Sequence, residues 1–254
     1  MNPTIDLLLN HASVRHYKPD PVPVPVVEGI ISAAQHASTS SCLQAYSIVV
    51  VTDKSKRDAL AELCGDQEHI HEAPLFLTWC ADLSRLERIC TIRGYKQTTD
   101  YTENFLVAAF DAMLAAQNAA VAAESSGLGI CYIGSIRRKP LEVIALLGLP
   151  HLVFPVVGMT VGWPSQEPVL RPRLPQQVVV HWESYDTTPK DEALRAYDKI
   201  MIETGIYKGR QVPVPGRNGE MESVGWLEQS AQRVSKEDRV NLLGILEKQG
   251  FALK

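Results

Sequence analysis

The feature that most constrains the fold is a long apolar stretch from Tyr101 to Ser126. Its pattern is helical, and nine alanines lie between Phe105 and Ala123, together with larger apolar residues. A helix that is apolar on nearly every side is buried on nearly every side, and small side chains let another helix approach closely. The stretch therefore predicts a central helix, with surface that a second subunit can share.

Patterns along the rest of the chain predict further helices and about five strands. β-branched or continuously apolar runs predict strands at 46–52, 75–81, 130–133, 153–161 and 178–182. Proline at a first turn, a capping Asp53 or a closing glycine predicts helices at 3–9, 25–36, 54–64, 140–147, 192–203 and 236–248. Because two helices precede the first strand, strict alternation fails, and we expect an α+β domain rather than a doubly wound sheet.

Charge and cysteine usage narrow the class of protein. The 254 residues carry a net charge of −4, whereas nucleic-acid-binding proteins usually show a basic excess, so no nucleic-acid partner is expected. The five cysteines are far apart and odd in number, which argues against a disulfide framework and indicates a reducing compartment. No signal-peptide pattern opens the chain, and the apolar stretch 112–123 is too short to cross a bilayer. We predict a cytoplasmic protein without a membrane partner.

Two basic segments lie far apart in the sequence. His11, Ser13 and Arg15 are spaced by two, which in an extended segment points their side chains the same way. Such a row suits a phosphate followed by a polar tail, because all three donate hydrogen bonds and two can carry charge. The same row is also typical of a polar loop leaving a helix. Arg171 and Arg173 recur in a proline-rich segment, so the residues alone indicate a grip on one phosphorylated small molecule.

Other motifs are better explained without a cofactor or a metal. Gly127-Leu-Gly129 follows a helix and precedes a strand, the reverse of the dinucleotide fingerprint, so we interpret Gly127 as a helix end with positive φ. His69-Ile-His71 lacks further ligands at metal spacing, which predicts a solvated loop and no metal site. Cys42 is interpreted as structural. No serine lies in a G-x-S-x-G elbow, and no carboxylate pair indicates acid–base catalysis.

Six motifs nevertheless occur in a specific order. They are His11-x-Ser-x-Arg15-x-Tyr17, Ser40-Ser-x-Leu-Gln44, Gln67, Ala122-Ala-Glu-Ser-x-Gly-Leu-Gly129, Tyr132-Ile-Gly134 and Arg171-Pro-Arg-Leu-Pro175. In this order they resemble the oxygen-insensitive NAD(P)H nitroreductases and NADPH–FMN oxidoreductases. The resemblance is to the branch of this family that contains the major nitroreductase and flavin reductase P. The resemblance runs from the first helix to Lys-Gln-Gly-Phe251, essentially the whole chain.

The resemblance implies an architecture. Residues 1–254 would form a single FMN-binding domain of α+β class, with a central mixed, largely antiparallel sheet flanked by helices. The family forms homodimers with FMN in each of two clefts at the subunit interface. The implied C-terminal extension, about residues 184–254 with a mobile loop at 209–223, is exchanged between the subunits.

The resemblance also implies a role for each site residue. In the family, the FMN phosphate is held at the positions that match His11, Ser13, Arg171 and Arg173. Arg15 matches a group that reaches the ribityl chain and the N1/O2 edge of the ring. Contacts from the partner subunit match Ser40 and Ser41, and an amide at the pyrimidine side of the flavin matches Gln67. The backbone beside the ring matches Tyr132, Ile133, Gly134 and Ser135.

The implied activity is an FMN-dependent NAD(P)H oxidoreductase with ping-pong kinetics. NADPH, or NADH, passes a hydride to flavin N5 and leaves, and a nitroaromatic, a quinone or free flavin is then reduced. The protein contributes no catalytic acid or base, only charge stabilisation by Arg15 at N1/O2. A dedicated flavin reductase and an FMN-binding protein with little turnover are the alternatives.

Three features depart from the family pattern. Its Lys-Pro-Arg appears as Arg171-Pro-Arg173, which keeps the charge but changes the donor geometry. Its Gly-Gly after Tyr-Ile appears as Gly134-Ser135, which changes the chain beside N5. The loop that meets the 2′-phosphate of NADPH is longer here. Its candidate cations are Lys208, Arg210 and Arg217, for which a solvated basic loop is the alternative interpretation.

Overall fold

The computed structural model describes residues 2–213 and 220–254. The helices are α1 (Pro3–Leu9), α2 (Val24–Gln35), α3 (Lys54–Leu63), α4 (Glu68–Glu72), α5 (Ser84–Arg93), α6 (Thr102–Ser125), α7 (Pro140–Leu147), α8 (Gln176–Val179), α9 (Asp191–Glu203), α10 (Trp226–Val234) and α11 (Leu242–Lys248). Short 3-10 helices span Ser40–Cys42 and Gly134–Arg137. The strands are β1 (Tyr46–Val51), β2 (Leu75–Asp82), β3 (Gly129–Ile133), β4 (Val153–Gly162), β5 (Gln211–Pro213) and β6 (Met221–Ser223).

The chain folds into two compact units. Unit 1 comprises Met1–Val169 and Arg239–Lys254, and unit 2 comprises Leu170–Asp238. Within the described residues, β1 to β4 form the sheet of unit 1, and β5 and β6 form a two-stranded sheet in unit 2.

The sheet of unit 1 has the strand order β1-β2-β4-β3, and every neighbouring pair is antiparallel. β2 is central and all eight of its residues are buried, as its continuous apolar run predicts. Gly158 of β4 lies opposite both Thr78 and Ile133. A Cβ at Gly158 would collide with the ring of Phe76, so the absence of a side chain there lets this ring pack directly on the strand.

Helices cover both faces of this sheet. On one face α2 and α6 pack against alternate strand residues such as Leu77, Trp79 and Met159. On the other face α3, α4 and α7 pack against Phe76 and Ile133. This alternation is the period-two pattern of a strand buried on both sides, and it gives unit 1 three layers.

The central helix predicted from the alanine-rich stretch is confirmed as α6. Its buried residues are Asp111 and seven alanines, which face the sheet and α2. Its outer face leaves Leu106, Phe110, Met113 and Leu114 exposed. By length and composition alone α6 could cross a membrane, and 39% of its most apolar window is buried. The core helix of a water-soluble domain meets the same criterion, and the alanine face of α6 packs as such a helix does.

The C-terminal residues return to unit 1. Phe251 is fully buried and meets Phe105 edge-to-face, with ring centroids 5.2 Å apart. The side-chain nitrogen Nε2 of Gln249 donates to the carbonyl oxygens of Pro150 (2.6 Å) and Val153 (3.0 Å). Gly250 has φ of +102°, a conformation that favours glycine. The chain end is therefore held by its own core.

Unit 2 is a smaller assembly built on α9 and α10. Tyr197 of α9 packs edge-to-face on Trp226, with ring centroids 5.3 Å apart. Asp198 accepts a hydrogen bond from the backbone nitrogen of Leu227 at 2.7 Å, next to the start of α10. Gly225 is required at this point, because a Cβ would collide with the Asp198 carboxylate.

The predicted α+β class is confirmed, whereas some element boundaries are wrong. The strand expected at 178–182 is instead α8 followed by irregular chain, because Pro175 opens a helical turn there. The helix expected at 236–248 begins only at Leu242, and the pattern missed α5 and α10, which bury none of their own residues. The glycine end predicted at Gly127 is confirmed by its φ of +79°.

Candidate functional site

The segment that carries His11, Ser13 and Arg15 runs beside the edge strand β3. The backbone nitrogen of Val14 donates to the carbonyl oxygen of Ile130 at 2.8 Å. Ala12 and Val14 are buried, His11 and Ser13 are half-buried, and Arg15 is exposed. This alternation agrees with the common direction that the spacing predicts.

Two anchors hold the segment in place. At its start, Nδ1 of His11 lies 2.6 Å from Oε1 of Glu124, in the last turn of α6, which leaves Nε2 as the ring nitrogen for a ligand. At its end, the hydroxyl of Tyr17 donates to the Val14 carbonyl and bonds the Thr160 hydroxyl, both at 2.8 Å. Burial raises the pKa of Tyr17, so this hydroxyl keeps its proton and stays a donor.

The thiol of Cys131 on β3 donates to the carbonyl oxygen of Tyr132 at 3.7 Å. Burial raises the pKa of this thiol, although the Arg15 charge and the Ser13 hydroxyl oppose the rise. The half-buried Ser13 hydroxyl has one proton to donate to a ligand.

The two histidines on α4 lie in different surroundings. His69 is buried, its Nε2 has no hydrogen-bond partner among the described residues, and burial followed by the charge of Arg15 lowers its pKa. His71 lies 2.9 Å from Asp66 and 3.0 Å from Asp58, which raise its pKa. The solvated loop expected at 69–71 is thus wrong, because Ile70 and His69 are buried on a short helix. No group of three or more metal-ligating side chains occurs in the described part of the chain.

Gln67 and Ser135 are brought together. Nε2 of Gln67 donates to the carbonyl oxygen of Cys64 at 2.9 Å and to the hydroxyl of Ser135 at 2.7 Å. Burial raises the pKa of the nearby Cys64 thiol to about 12, and the Ser135 hydroxyl partly opposes this rise. These contacts close a small polar network where the chain leaves β3.

The residues that follow Tyr132 pass through this region. Tyr132 is half-buried, and its hydroxyl donates to the Gln117 side chain at 3.3 Å. Ile133 is buried in the core on the α3 side. The carbonyl oxygen of Gly134 accepts a hydrogen bond from the guanidinium of Arg239 at 3.4 Å. The C-terminal part of unit 1 therefore supports the backbone that the sequence resemblance places beside a ring.

Ser40 and Ser41 lie in a loop that Asp111 holds. The carboxylate of Asp111 accepts from the backbone nitrogens of Ser40 (2.9 Å) and Ala45 (3.0 Å), and it is 1% exposed. Between these anchors Ser41, Cys42 and Gln44 all have φ near +50°, which is uncommon for residues other than glycine. A buried carboxylate thus maintains a strained loop whose side chains are exposed.

The Ser40 loop and the His11 row are anchored at different places on α6. Asp111 and Glu124 are 13 residues apart in the sequence, which is about 20 Å along a helix axis. In a single copy of unit 1, the anchors of the two segments are therefore well separated along α6.

The remaining candidate cations belong to unit 2. Arg171 is half-buried and Arg173 is exposed, and Arg173 donates to the Arg171 carbonyl at 2.8 Å. Arg210 donates to the Gln229 side chain at 2.9 Å, and Lys208 is exposed. Arg217 lies outside the described residues.

Comparison with known proteins places the chain in a family. Residues 8–163 match the family model described as "Nitroreductase family", and residues 171–254 match "Nitroreductase family, C-terminal domain". The chain belongs to the nitroreductase family.

Several relatives are similar to this chain over its full length. The "Oxygen-insensitive NADPH nitroreductase" of Salmonella typhimurium is 39% identical, covering 100% of both chains. The "FMN reductase (NADPH)" of Bacillus subtilis is 36% identical over 99% of both chains. The solved structure of NADPH:FMN oxidoreductase from Vibrio harveyi complexed with NAD+ superposes with a TM-score of 0.86 at 35% identity, covering 100% of both chains. The family predicted from the six motifs is therefore confirmed.

Three residues that organise the candidate site were missed by sequence reasoning. Asp111 and Glu124 had a signal, because each is an acidic residue among the alanines of a largely apolar helix and a buried charge needs partners. Arg239 had no such signal in the sequence, because its contact with Gly134 joins residues that are 105 positions apart.

We expect Asp111→Ala to destabilise unit 1 by about 2–4 kcal/mol, because the buried N–H of Ala45 and the part-buried N–H of Ser40 lose their acceptor. Chemical denaturation measures this loss, and hydrogen exchange should locate it at the amides of Ser40 and Ala45. The matched control is Glu103→Ala, an exposed acid on the same helix, which should stay within about 0.5 kcal/mol. Unchanged protection of both amides in Asp111→Ala would contradict the assigned role.

Proposed function

We propose that this chain binds FMN and uses it to oxidise NAD(P)H and reduce a small acceptor. Flavin-dependent oxidation of NAD(P)H, the predicted activity, agrees with the names of its relatives in the nitroreductase family. The observation that carries the proposal is the row of His11, Ser13 and Arg15 on one side of a segment anchored by Glu124 and Tyr17. The row presents three donors next to an edge strand.

The described residues fit the chemistry of FMN. Its phosphate needs several donors, which the Ser13 hydroxyl supplies and which Nε2 of His11 supplies in the imidazolium form, because Nδ1 is engaged by Glu124. The exposed Arg15 is left for the ribityl chain and the N1/O2 edge of the ring. The flat ring system of FMN needs a stretch of backbone to lie against, which β3 and Gly134 provide. The pyrimidine edge of the ring needs a polar partner, which the Gln67 side chain provides. Arg171 and Arg173 are proposed as further phosphate donors.

The chain's own part in the reaction is binding and electrostatics. When bound, FMN would supply the redox chemistry, which is hydride transfer from the nicotinamide and electron transfer to the acceptor. Arg15 is proposed to face the N1/O2 edge, where a permanent cation favours negative charge. Tyr132, Ile133, Gly134 and Ser135 are proposed to line the ring. No described side chain is assigned the role of a general acid or base.

A homodimer is proposed because each copy leaves an apolar stripe and an incomplete site. Leu106, Phe110, Met113 and Leu114 form one exposed stripe on α6, as an interface helix does. Within one copy, the anchor of the Ser40 and Ser41 loop is well separated along α6 from the anchor of the His11 row. In the dimer that we propose, this loop completes the FMN cleft of the partner. Since residues 239–254 pack on their own core, an exchanged segment would lie within 170–238.

We base the proposed nicotinamide and acceptors on the candidate cations of this chain and on the names of its relatives. NADPH is named for both relatives, and Lys208, Arg210 and Arg217 are available to meet its 2′-phosphate. The names of these relatives include nitroreductase and FMN reductase, so nitroaromatics and free flavin are both proposed as acceptors. The free thiols of all five cysteines support a cytoplasmic location.

The purified protein should be yellow with FMN and should oxidise NADPH only when a nitroaromatic, quinone or flavin acceptor is added. Arg15→Ala, Arg171→Ala and Arg173→Ala should each weaken FMN binding about 10- to 150-fold, because a charge-assisted hydrogen bond contributes about 1.5–3 kcal/mol. Titration with FMN measures the change. Lys18→Ala, which removes an exposed cation from the same segment, serves as the control. Wild-type affinity and rates in all three variants would refute the site.

The dimer should dissociate when the α6 stripe is charged. Leu114→Glu places a carboxylate in the proposed interface, so we expect the dissociation constant of the dimer to rise at least about tenfold. Light scattering and sedimentation report the change. Leu141→Glu is matched to it, since Leu141 is exposed to a similar degree, 42% against 49%, on a different helix. A monomeric wild type that still holds FMN would exclude the shared cleft.

Removing Arg210 and Arg217 together should raise the KM for NADPH about tenfold and leave the KM for NADH nearly unchanged, because only NADPH carries the 2′-phosphate. Steady-state kinetics with both nicotinamides measure this difference. Arg195→Ala, an exposed arginine of α9, is the control. An equal effect on both nicotinamides, or no effect, would remove these residues from cofactor recognition.

A further inference from the structure

Ser135 occupies a position where the family pattern has glycine. The backbone conformation at this position does not explain why serine replaces glycine. It is the second residue of the 3-10 helix Gly134–Arg137, directly after β3. Its φ is not positive, so neither glycine nor serine is required there by conformation. The hydroxyl itself therefore has to account for what serine adds.

The hydroxyl of Ser135 accepts one of the two hydrogen bonds that the Gln67 side chain donates. A side-chain amide nitrogen has two N–H groups. In Gln67 one donates to the Cys64 carbonyl (2.9 Å) and the other to the Ser135 hydroxyl (2.7 Å). Both N–H groups of Gln67 therefore have an acceptor.

These two hydrogen bonds determine which way the Gln67 amide faces. In the opposite orientation Oε1 of Gln67 would lie against the carbonyl oxygen of Cys64, and two acceptors would meet at hydrogen-bond distance. That orientation also leaves a buried carbonyl without a donor, which costs free energy. With both N–H groups engaged, Oε1 is the atom that Gln67 presents to a ligand.

We propose that Ser135 is a positioning residue that holds Gln67 as a hydrogen-bond acceptor, so that Gln67 receives the pyrimidine N–H of the flavin instead of donating to its carbonyl oxygens. This inference rests on the proposed FMN site and deepens it. With glycine at position 135, one N–H of Gln67 has no internal acceptor and is free to donate. Serine therefore removes a donor from the edge of the ring where negative charge accumulates on reduction.

The consequence is a preference between the two redox states of FMN. A donor at the pyrimidine edge stabilises the reduced, negatively charged ring more than the oxidised ring. An acceptor does not give this differential stabilisation. Ser135 should therefore lower the affinity for reduced FMN relative to oxidised FMN, compared with a variant that lacks the hydroxyl.

The test compares Ser135→Ala, Ser135→Gly and Ser135→Thr in the full-length protein loaded with FMN. We measure the dissociation constant of oxidised FMN, the two-electron midpoint potential of bound FMN and the thermal midpoint of the FMN-free protein. In the alanine and glycine variants the ratio of reduced to oxidised affinity should rise about tenfold, a shift of about 30 mV to more positive potential. Threonine keeps the hydroxyl and should retain the wild-type potential. Ser235→Ala, an exposed serine, is the control.

The possible outcomes separate this inference from the proposed function. A wild-type protein that does not bind FMN overturns the proposed function. A wild type that binds FMN, with an unchanged potential in both the alanine and glycine variants, overturns the role of Ser135 alone. Equal weakening of both redox states, or a threonine variant that behaves like alanine, also overturns it, because either result indicates a purely structural contact.

Discussion

Close packing between the alanine face of α6 and the antiparallel sheet is the interaction on which the rest of unit 1 depends. Seven buried alanines let the helix backbone approach β2 and α2, and bulky residues such as Trp79 and Met159 fill the sheet side. Interiors are packed to near-crystalline density, so small residues on one element must be matched by large residues on the other. The larger apolar side chains of α6 are consequently left on its outer face.

The same helix carries the polar anchors of the site. Asp111 holds the strained loop of Ser40 and Ser41, and Glu124 orients His11. Both carboxylates lie among the alanines of a largely apolar helix, where a charge without partners would be costly. Their partners are backbone N–H groups in one case and an imidazole in the other. The geometry of two separate loops is therefore set by one helix, at points about 20 Å apart.

A second layer of positioning comes from groups that do not themselves face a ligand. Tyr17 ties the basic segment to Thr160 on β4, and Arg239 reaches the Gly134 carbonyl from the end of the chain. The Ser135 hydroxyl and the Cys64 carbonyl oxygen accept both N–H groups of Gln67. An ordered hydrogen-bond network of this kind decides which atoms remain for recognition.

Sequence patterns were informative wherever the signal is local. The alanine-rich helix, the buried strand β2, the Asp53 cap, which accepts from the Lys56 nitrogen, and the glycine end at Gly127 all follow from the residues themselves. The order of six motifs was sufficient to predict the family. The pattern failed at α8 and α10, where short or charged segments bury little and the local preference for helix or strand is weak.

The sequence by itself determined the α+β class, the central helix and the common direction of His11, Ser13 and Arg15, because periodicity and capping depend on residues only a few positions apart. Only the tertiary structure decided the strand order, the burial of His69 and the contacts of Asp111, Gln67 and Arg239. Those contacts join residues far apart in the chain, and their partners are fixed by how the layers stack. No spacing in the sequence encodes that stacking directly, since it results from packing and hydrogen-bond satisfaction over the whole unit.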